Sequence, residues 1–252
     1  MTCDHASRLL PPGYGSLGLP ASEFDRHIAS DIGAAGVSRG LSRLLDCPAL
    51  LAGYSRLLID LNRGEDDPTL VMKLSDGAII PANRHVDADN DKAEFEARID
   101  QVFRPYHAAL GGLIDRALAA GTVPVILSMH SFTPSWRGRS RPWKVGILWD
   151  RDDRIAGPLI GRLREEPGMI VGDNEPYEGA LYGDCLFRHG TLRGIAHVLV
   201  EIRQDLIMDE EGQEAWAALL APIFQELASR PGVREIRHFG SLADPSAPIS
   251  PK

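Results

Sequence analysis

The sequence predicts one layered α/β domain. Short apolar runs of strand length alternate along the chain with longer stretches of helix type. Several of these runs are continuously apolar, as strands covered on both faces are. Neither an internal repeat nor a low-complexity linker divides the sequence, so residues 1–240 are expected to form a single domain. Residues 241–252, rich in Ser, Pro and Ala, are expected to form a loose tail.

The elements follow from these patterns in chain order. Predicted strands are SRLLIDL (55–61), VPVILSMH (123–130), VGILWD (145–150), MIVGD (169–173) and HVLVEIR (197–203). Predicted helices are 22–45, 92–120, 152–165 and 210–230, the last with an apolar stripe of Trp216, Leu219, Leu220, Ile223 and Leu227. The chain reaches His5 almost at once, so either the first strand is very short or the chain begins inside an element that normally starts earlier.

Composition narrows the class of protein. The chain has 252 residues, of which 44% are hydrophobic and 25% charged, the makeup of a soluble globular protein. A net charge of -8 argues against a nucleic-acid partner. No apolar run approaches the roughly 18 residues of a membrane span, and no secretory signal is visible. Three cysteines without CxxC spacing favour a reduced, cytoplasmic setting.

Polar side chains end four of the five predicted strands. In open α/β sheets, ligands bind at the carboxyl ends of strands, so these residues predict a shared polar cleft. The residues in question are Asp60, Asn62 and Arg63; His130 and Ser131; Asp173, Asn174, Glu175 and Tyr177; and Glu201, Arg203, Gln204 and Asp205.

Within this cleft, histidines and a carboxylate suggest a divalent metal site. His5, His130 and a third group from the predicted 22–45 helix would form a three-ligand site with an open position for water. His27 and Asp31 are four residues apart, so both would lie on one helix face, and either one fits as the third ligand. Glu201 would then act as the general base.

The arginines suggest an anionic substrate. Arg56, Arg63 and Arg203 would hold a carboxylate or stabilise an oxyanion, since a guanidinium group fits a carboxylate bidentately. The arginines at 137, 139 and 141, which follow His130, either select the substrate or form a solvated loop face. His107 is either a structural residue or a hydrogen-bond partner of a metal ligand.

Several ordered blocks together carry a family resemblance. They include DHAS (4–7), LGLP (17–20), HIASDIGA (27–34), SRLLIDLNR (55–63), HSFTP (130–134) and DNEPY (173–177). As a set they resemble the N-formylglutamate amidohydrolase family, most closely its predicted members that share the HSFTP and DNEPY blocks. The similarity extends from about residue 3 to about residue 225.

The resemblance implies a three-layer α/β/α sandwich with a mixed sheet, similar to zinc-dependent exopeptidases (phosphorylase/hydrolase-like). It implies one Zn²⁺ per chain, with His5 and His130 matching family histidines expected to bind it. The third ligand is expected in the HIASD block, at His27 or Asp31. Asn62 and Arg63 resemble a pair that holds the substrate carboxylate in related carboxypeptidases, and Glu201 matches the position of their catalytic glutamate.

The reaction implied is hydrolysis of the N-formyl, or a related N-acyl, amide of an acidic amino acid. The type substrate is N-formyl-L-glutamate, which gives formate and L-glutamate. In this hypothesis Arg56 stabilises the oxyanion, and an arginine of the 137–141 loop, such as Arg137, binds the side-chain carboxylate. Two alternatives remain: a zinc amidase or peptidase acting on another acyl amino acid or a cell-wall peptide, and a non-catalytic anion-binding protein of the same fold.

Overall fold

Six strands form one mixed sheet in the computed structural model, which describes residues 1–251. In chain order the strands are Thr2–Cys3 (β1), Leu50–Leu51 (β2), Leu74–Ser75 (β3), Ala78–Ile79 (β4), Ile126–Phe132 (β5), Ser135–Trp136 (β6), Arg139–Ser140 (β7), Val145–Leu148 (β8), Val171–Asp173 (β9) and His197–Arg203 (β10). The sheet order is β2-β1-β5-β10-β8-β9, and β3–β4 and β6–β7 are separate hairpins. All neighbours in the sheet are parallel except β10 and β8.

Helices cover both faces of this sheet. They are Ala34–Leu45 (α1), Lys92–Arg98 (α2), Arg104–Ala119 (α3), Ala156–Arg164 (α4), Cys185–His189 (α5) and Glu210–Ala228 (α6). A π-helical segment, Ile99–Phe103, joins α2 to α3. The predicted three-layer α/β sandwich with a mixed sheet is therefore confirmed.

Two apolar cores, one on each face, follow from the alternation of side chains along the strands. On one face Ile126 of β5 and Leu199 of β10 pack in a core that includes Leu110 of α3. On the other face Met129 and Val200 pack in a core formed with α1, α4 and α6. Alternate residues of β5 and β10 face opposite cores. A polar residue near the end of either strand therefore lies on one face of the sheet, which its position in the alternation decides.

Four predicted strands and the last helix are confirmed within a few residues, but the strand predicted at 55–61 is wrong. This stretch is buried and consists of turns. Its backbone carbonyls are satisfied by side chains instead of a neighbouring strand: Arg98 Nη1 donates to the Leu58 oxygen at 2.9 Å, and Asn83 Nδ2 donates to the Leu57 oxygen at 2.7 Å. Apolar character alone could not distinguish a buried turn from a buried strand.

The helix predicted at 22–45 is wrong over its first half. A short 3-10 turn covers Ala21–Asp25, and α1 begins at Ala34. Between them, the Asp31 amide donates to the His5 carbonyl at 2.9 Å, so the chain is bonded to the end of β1 instead of to its own preceding turn. Gly33 has φ +80°, and a Cβ there would overlap the carbonyl oxygen of Ile207, so the sharp entry into α1 depends on glycine.

The C-terminal segment turns back along the preceding residues. Ile249 forms a β-bridge with Phe239, and Ala247 is buried. Leu242 donates its amide to Asp150 at 2.9 Å. Among residues 1–251, no helix combines the length and apolar character that a membrane span requires.

Candidate active site

Two strand ends bring the first functional side chains together. His130 of β5 lies opposite Glu201 of the parallel strand β10, so both side chains project from the same face near the carboxyl ends. Ser128, two residues earlier on β5, projects from this face as well. The register of these two central strands therefore brings His130 and Glu201 side by side.

His5, Asp31 and His130 converge at a single point. His5 Nδ1 lies 3.3 Å from Asp31 Oδ2, and His130 Nδ1 lies 2.8 Å from the same oxygen. One ligand atom from each of the three residues lies within 4.8 Å of the others, and all three residues are buried. Two imidazole nitrogens and a carboxylate oxygen are a common ligand set for a catalytic zinc ion.

The outer nitrogens of both histidines have polar partners. His5 Nε2 lies 2.7 Å from Asp60 Oδ1, while His130 Nε2 lies 3.0 Å from Ser128 Oγ and 3.5 Å from Asp4 Oδ2. Metal-binding histidines usually have such a partner on the second nitrogen, because it fixes the tautomer and the ring orientation. The arrangement therefore fits a divalent cation.

Neighbouring groups shift the pKa values of His130 and Asp31 in opposite directions. Burial favours the neutral form of His130, but hydrogen bonds to Asp31 and Asp4 outweigh burial and raise the pKa of His130 well above its usual value. Burial likewise opposes ionisation of Asp31, but the electrostatic interaction with His5 and the hydrogen bond to His130 lower the pKa of Asp31. A cation bound among these groups would compete with a proton for the His130 ring.

His27 lies apart from the three converging residues. Its Nε2 lies 3.5 Å from Asp76 Oδ2, and its ring packs edge-on to Trp136 with centroids 6.2 Å apart. Because residues 26–33 are not helical, the spacing of four does not place His27 and Asp31 together. The geometry therefore favours Asp31 over His27 as the third ligand.

The buried turn segment 55–63 contributes two arginines and an asparagine to the site. Arg56 Nη2 donates to Asp60 at 2.8 Å and its Nη1 lies 3.4 Å from Asp31 Oδ1. Asn62 Oδ1 accepts from the Cys185 amide at 3.3 Å, and Arg63 Nη1 donates to the Asn62 carbonyl at 2.8 Å. Arg56, Asn62 and Arg63 all line one cavity of about 330 Å³, together with His5, Asp31, His130 and Glu201.

Glu201 is a buried carboxylate without a complete set of partners. Its side chain is 7% exposed, and Oε2 has no hydrogen-bond partner among the described residues. Burial raises the pKa of Glu201 to about 7. A carboxyl group with a pKa close to neutrality, beside a candidate metal site, is suited to accept a proton and to return it.

Two predicted substrate-binding residues do not line this cavity. Arg203 turns towards Asp205, with Nε to Oδ1 at 2.7 Å, and its Nη1 lies 3.4 Å from the Arg141 carbonyl. Arg137 is exposed in the β6–β7 turn and stacks over Trp136 at 5.5 Å from the ring centroid. Neither arginine is among the residues that the fold brings together around this cavity.

Other residues at the site were missed from sequence. Asp4 accepts a hydrogen bond from Tyr106 and lies against His130; its position next to a candidate ligand was the available signal. Asp184 lines the cavity and accepts from the Phe187 amide at 2.6 Å, and burial raises its pKa to about 7. An aspartate before a short helix is typical of an N-cap residue, so the sequence offered no functional signal for Asp184.

A cavity at the strand ends, with convergent histidines, carboxylates and arginines, is typical of a hydrolase that binds an anionic substrate. The N-formylglutamate amidohydrolase family model matches residues 1–208, and the chain belongs to this family.

Two solved structures resemble the chain. A gene product of Agrobacterium tumefaciens is 35% identical with a TM-score of 0.84, and the match covers 90% of this chain and 89% of that chain. The N-formylglutamate amidohydrolase from Ralstonia eutropha is 24% identical with a TM-score of 0.64, covering 90% of this chain and 92% of that chain, and shares the fold. No curated protein matches the chain significantly.

Proposed function

We propose that this chain is a zinc-dependent amidohydrolase that removes the formyl group from an N-formyl acidic amino acid, with N-formyl-L-glutamate as the type substrate. The observation that carries the proposal is the unpartnered Glu201 carboxylate beside His5, Asp31 and His130, in a cavity lined by arginines. Membership of the family supports the substrate class. The three free cysteines support a cytoplasmic setting. The proposed partner is a small anionic substrate.

The roles of the metal site follow from its ligand set. His5 Nδ1, His130 Nδ1 and an Asp31 oxygen would hold zinc, with Asp60 and Asp4 orienting the two rings. When bound, zinc supplies Lewis-acid chemistry: it polarises a carbonyl group and lowers the pKa of a water molecule.

The remaining residues bind substrate and move the proton. Glu201 takes a proton from the attacking water and delivers it to the amine as the C–N bond breaks, giving formate and the free amino acid. Arg56 lines the cavity beside Asp31 and stabilises the negative oxygen of the tetrahedral intermediate. Asn62 and Arg63, on the same turn, bind the α-carboxylate.

The first test combines metal content with product release. Purified protein is expected to contain about one zinc per chain and to release formate from N-formyl-L-glutamate. A panel of other N-acyl amino acids and cell-wall peptides would show whether a different amide is the better substrate. Metal-free protein that stays inactive after zinc is supplied would contradict the proposal and favour an anion-binding protein.

A matched pair of variants tests the ligand set. His130→Asn removes a proposed ligand, and we expect zinc content to fall well below one per chain. His27→Asn changes a histidine that lines the same cavity outside the converging group, and zinc content should stay unchanged. If His27→Asn loses zinc as His130→Asn does, the assignment of Asp31 as the third ligand is wrong.

A further inference from the structure

Arg141 is a buried cation without a carboxylate partner. Its side chain is 8% exposed, and no Asp or Glu oxygen of residues 1–251 lies within 4.0 Å of its guanidinium nitrogens. The other buried arginine, Arg98, is paired with Glu94 at 2.8 Å, and the largely buried Arg56 is paired with Asp60. Burying an uncompensated charge is costly, so such a group calls for an anion from outside the chain.

Three aromatic rings and two hydroxyls hold the Arg141 guanidinium in place. It stacks against Phe132, Trp136 and Tyr177, with its central carbon 5.0–5.8 Å from the ring centroids. Its Nη1 donates to Tyr177 Oη and to Thr133 Oγ1, both at 3.1 Å. All four of these neighbours line the cavity of the proposed active site, so the positive charge lies directly behind the cavity wall.

Tyr177 is itself fixed by the packing of its loop. The preceding residue pair, Glu175–Pro176, lies so close to β8 and β9 that a Cβ on Gly146 or Gly172 would overlap the Glu175 carbonyl. Asn174 Oδ1 also accepts from the Trp149 amide at 2.9 Å. Because Arg141 donates to the Tyr177 oxygen, the hydroxyl proton of Tyr177 is free to be donated elsewhere.

We propose that Arg141 and Tyr177 form a subsite for the side-chain carboxylate of the substrate, distinct from the α-carboxylate site at Asn62 and Arg63. Tyr177 donates its hydroxyl proton to the carboxylate, and Arg141 is a positioning residue that orients the hydroxyl and supplies the compensating charge. This inference rests on the proposed function, and it assigns the choice of an acidic amino acid to Arg141 in place of Arg137.

The test compares an acidic substrate with its neutral isostere. For each variant, kcat/KM is measured for N-formyl-L-glutamate and N-formyl-L-glutamine. Arg141→Met is expected to lower the ratio of the two by roughly 10- to 100-fold, mainly through a higher KM for the acidic substrate. Arg139→Met, an exposed arginine of the same loop, should leave the ratio unchanged. An unchanged ratio in Arg141→Met would overturn the proposal.

Three further variants separate the role of Arg141 from general packing. Tyr177→Phe should lower the same ratio, and the double variant should be no worse than the worse single variant, because both act on one carboxylate. If Arg141→Met does not fold, Arg141→Lys should keep the charge but lower the ratio, since lysine lacks the planar fork that stacks and bonds here. A preserved ratio in Arg141→Lys and Tyr177→Phe would contradict the subsite.

A binding measurement keeps this inference separate from the proposed activity. If the wild-type protein hydrolyses neither substrate, the proposed function fails, but the subsite can still be tested by titration calorimetry. L-glutamate should bind the wild-type holoprotein more tightly than L-glutamine, and Arg141→Met should abolish that preference. Equal binding of the two amino acids to the wild-type protein would overturn the subsite.

Discussion

Two pairs of buried histidines lie in this domain, and their surroundings are opposite. His5 and His130 pack edge-on, with ring centroids 4.9 Å apart, and their nitrogens face carboxylates. His107 and His189 are stacked, with centroids 5.3 Å apart, and His107 Nδ1 lies 3.0 Å from His189 Nε2. The other nitrogen of His107 faces the Leu61 carbonyl at 3.1 Å.

Carboxylate neighbours outweigh burial at His130, whereas burial prevails at His107 and His189. Carboxylates raise the pKa of His130 well above its usual value, whereas burial lowers the pKa of both His107 and His189 to about 4. The first pair therefore lies among carboxylates in a cluster that fits a cation, whereas the second pair is neutral and structural at physiological pH. We therefore expect metal binding and proton transfer to involve His5, His130 and Glu201, and His107 to be structural.

The largest effect should come from Glu201. Glu201→Gln keeps the shape of the side chain but removes proton transfer, so kcat should fall by about 1000-fold while zinc content stays the same. Glu175→Gln, an exposed carboxylate outside the cavity, is the matched control and should keep wild-type turnover. Steady-state formate release checks both variants, and a loss of less than tenfold in Glu201→Gln would remove it as the general base.

A smaller effect should follow from loss of the partner of His5. Asp60→Asn replaces the carboxylate that faces His5 Nε2, and zinc affinity should fall by roughly 10- to 100-fold. The measurement is competition with a chelator, with the exposed Asp66→Asn as control. Unchanged affinity in a folded Asp60→Asn protein would mean that the carboxylates do not distinguish the two histidine pairs.

Of the first pair, the sequence predicted His130, together with Glu201, for a physical reason. His130 and Glu201 end parallel strands that are long, apolar and neighbours in the sheet, and the carboxyl ends of such strands meet at one edge. His5 follows a strand of only two residues, so strand periodicity could not place it; it was proposed as a metal ligand together with His130, and the family resemblance supported it. Residues on the central strands were thus the ones that pattern could place.

Residues on irregular backbone could not be placed in this way. Asp31 and Arg56 lie in turns whose shape is set by distant side chains and by one glycine, and strand or helix periodicity carries no information about such segments. Arg203 illustrates the opposite failure: it ends a correctly predicted strand, but Asp205 draws its side chain away from the cavity. A strand end predicts the position of the backbone, and local ion pairs decide where a long side chain points.

The second pair should be visible in the pH dependence of stability. In the folded protein both rings stay neutral down to about pH 4, whereas in the unfolded chain they bind protons below about pH 6.5. The stability that these groups contribute is therefore complete above pH 6.5 and is lost as the pH falls towards 4. Glu201 and Asp184, whose pKa values are raised to about 7, act in the opposite direction, so a variant is needed to isolate the histidines.

His189→Gln replaces one titrating ring with an amide that can still form hydrogen bonds. Between pH 7 and pH 4.5, its free energy of unfolding should fall by about 2 kcal/mol less than that of the wild-type protein. Urea unfolding at several pH values measures the difference, and the exposed His85→Gln should follow the wild-type curve. If His189→Gln loses stability as steeply as the wild-type protein, the stacked pair is not the neutral element described here.

Tyr106 joins the two pairs and should give the smallest effect. Its ring packs edge-on against His107 at 5.5 Å, and its hydroxyl donates to Asp4, which lies against His130. Tyr106→Phe removes one hydrogen bond to a carboxylate that Ser128 and His130 still contact, so it should cost about 1 to 2 kcal/mol of unfolding free energy. Zinc affinity should fall less than in Asp60→Asn, because both histidines keep their direct partners.

Tyr182→Phe, at an exposed tyrosine, provides the baseline for loss of a hydroxyl. Chelator competition and urea unfolding on the same samples give the two quantities. A fall in zinc affinity as large as that of Asp60→Asn would mean that the metal site depends on the packing around His107. The two pairs would then form one network, and the division between a carboxylate-lined pair and a neutral structural pair would have to be given up.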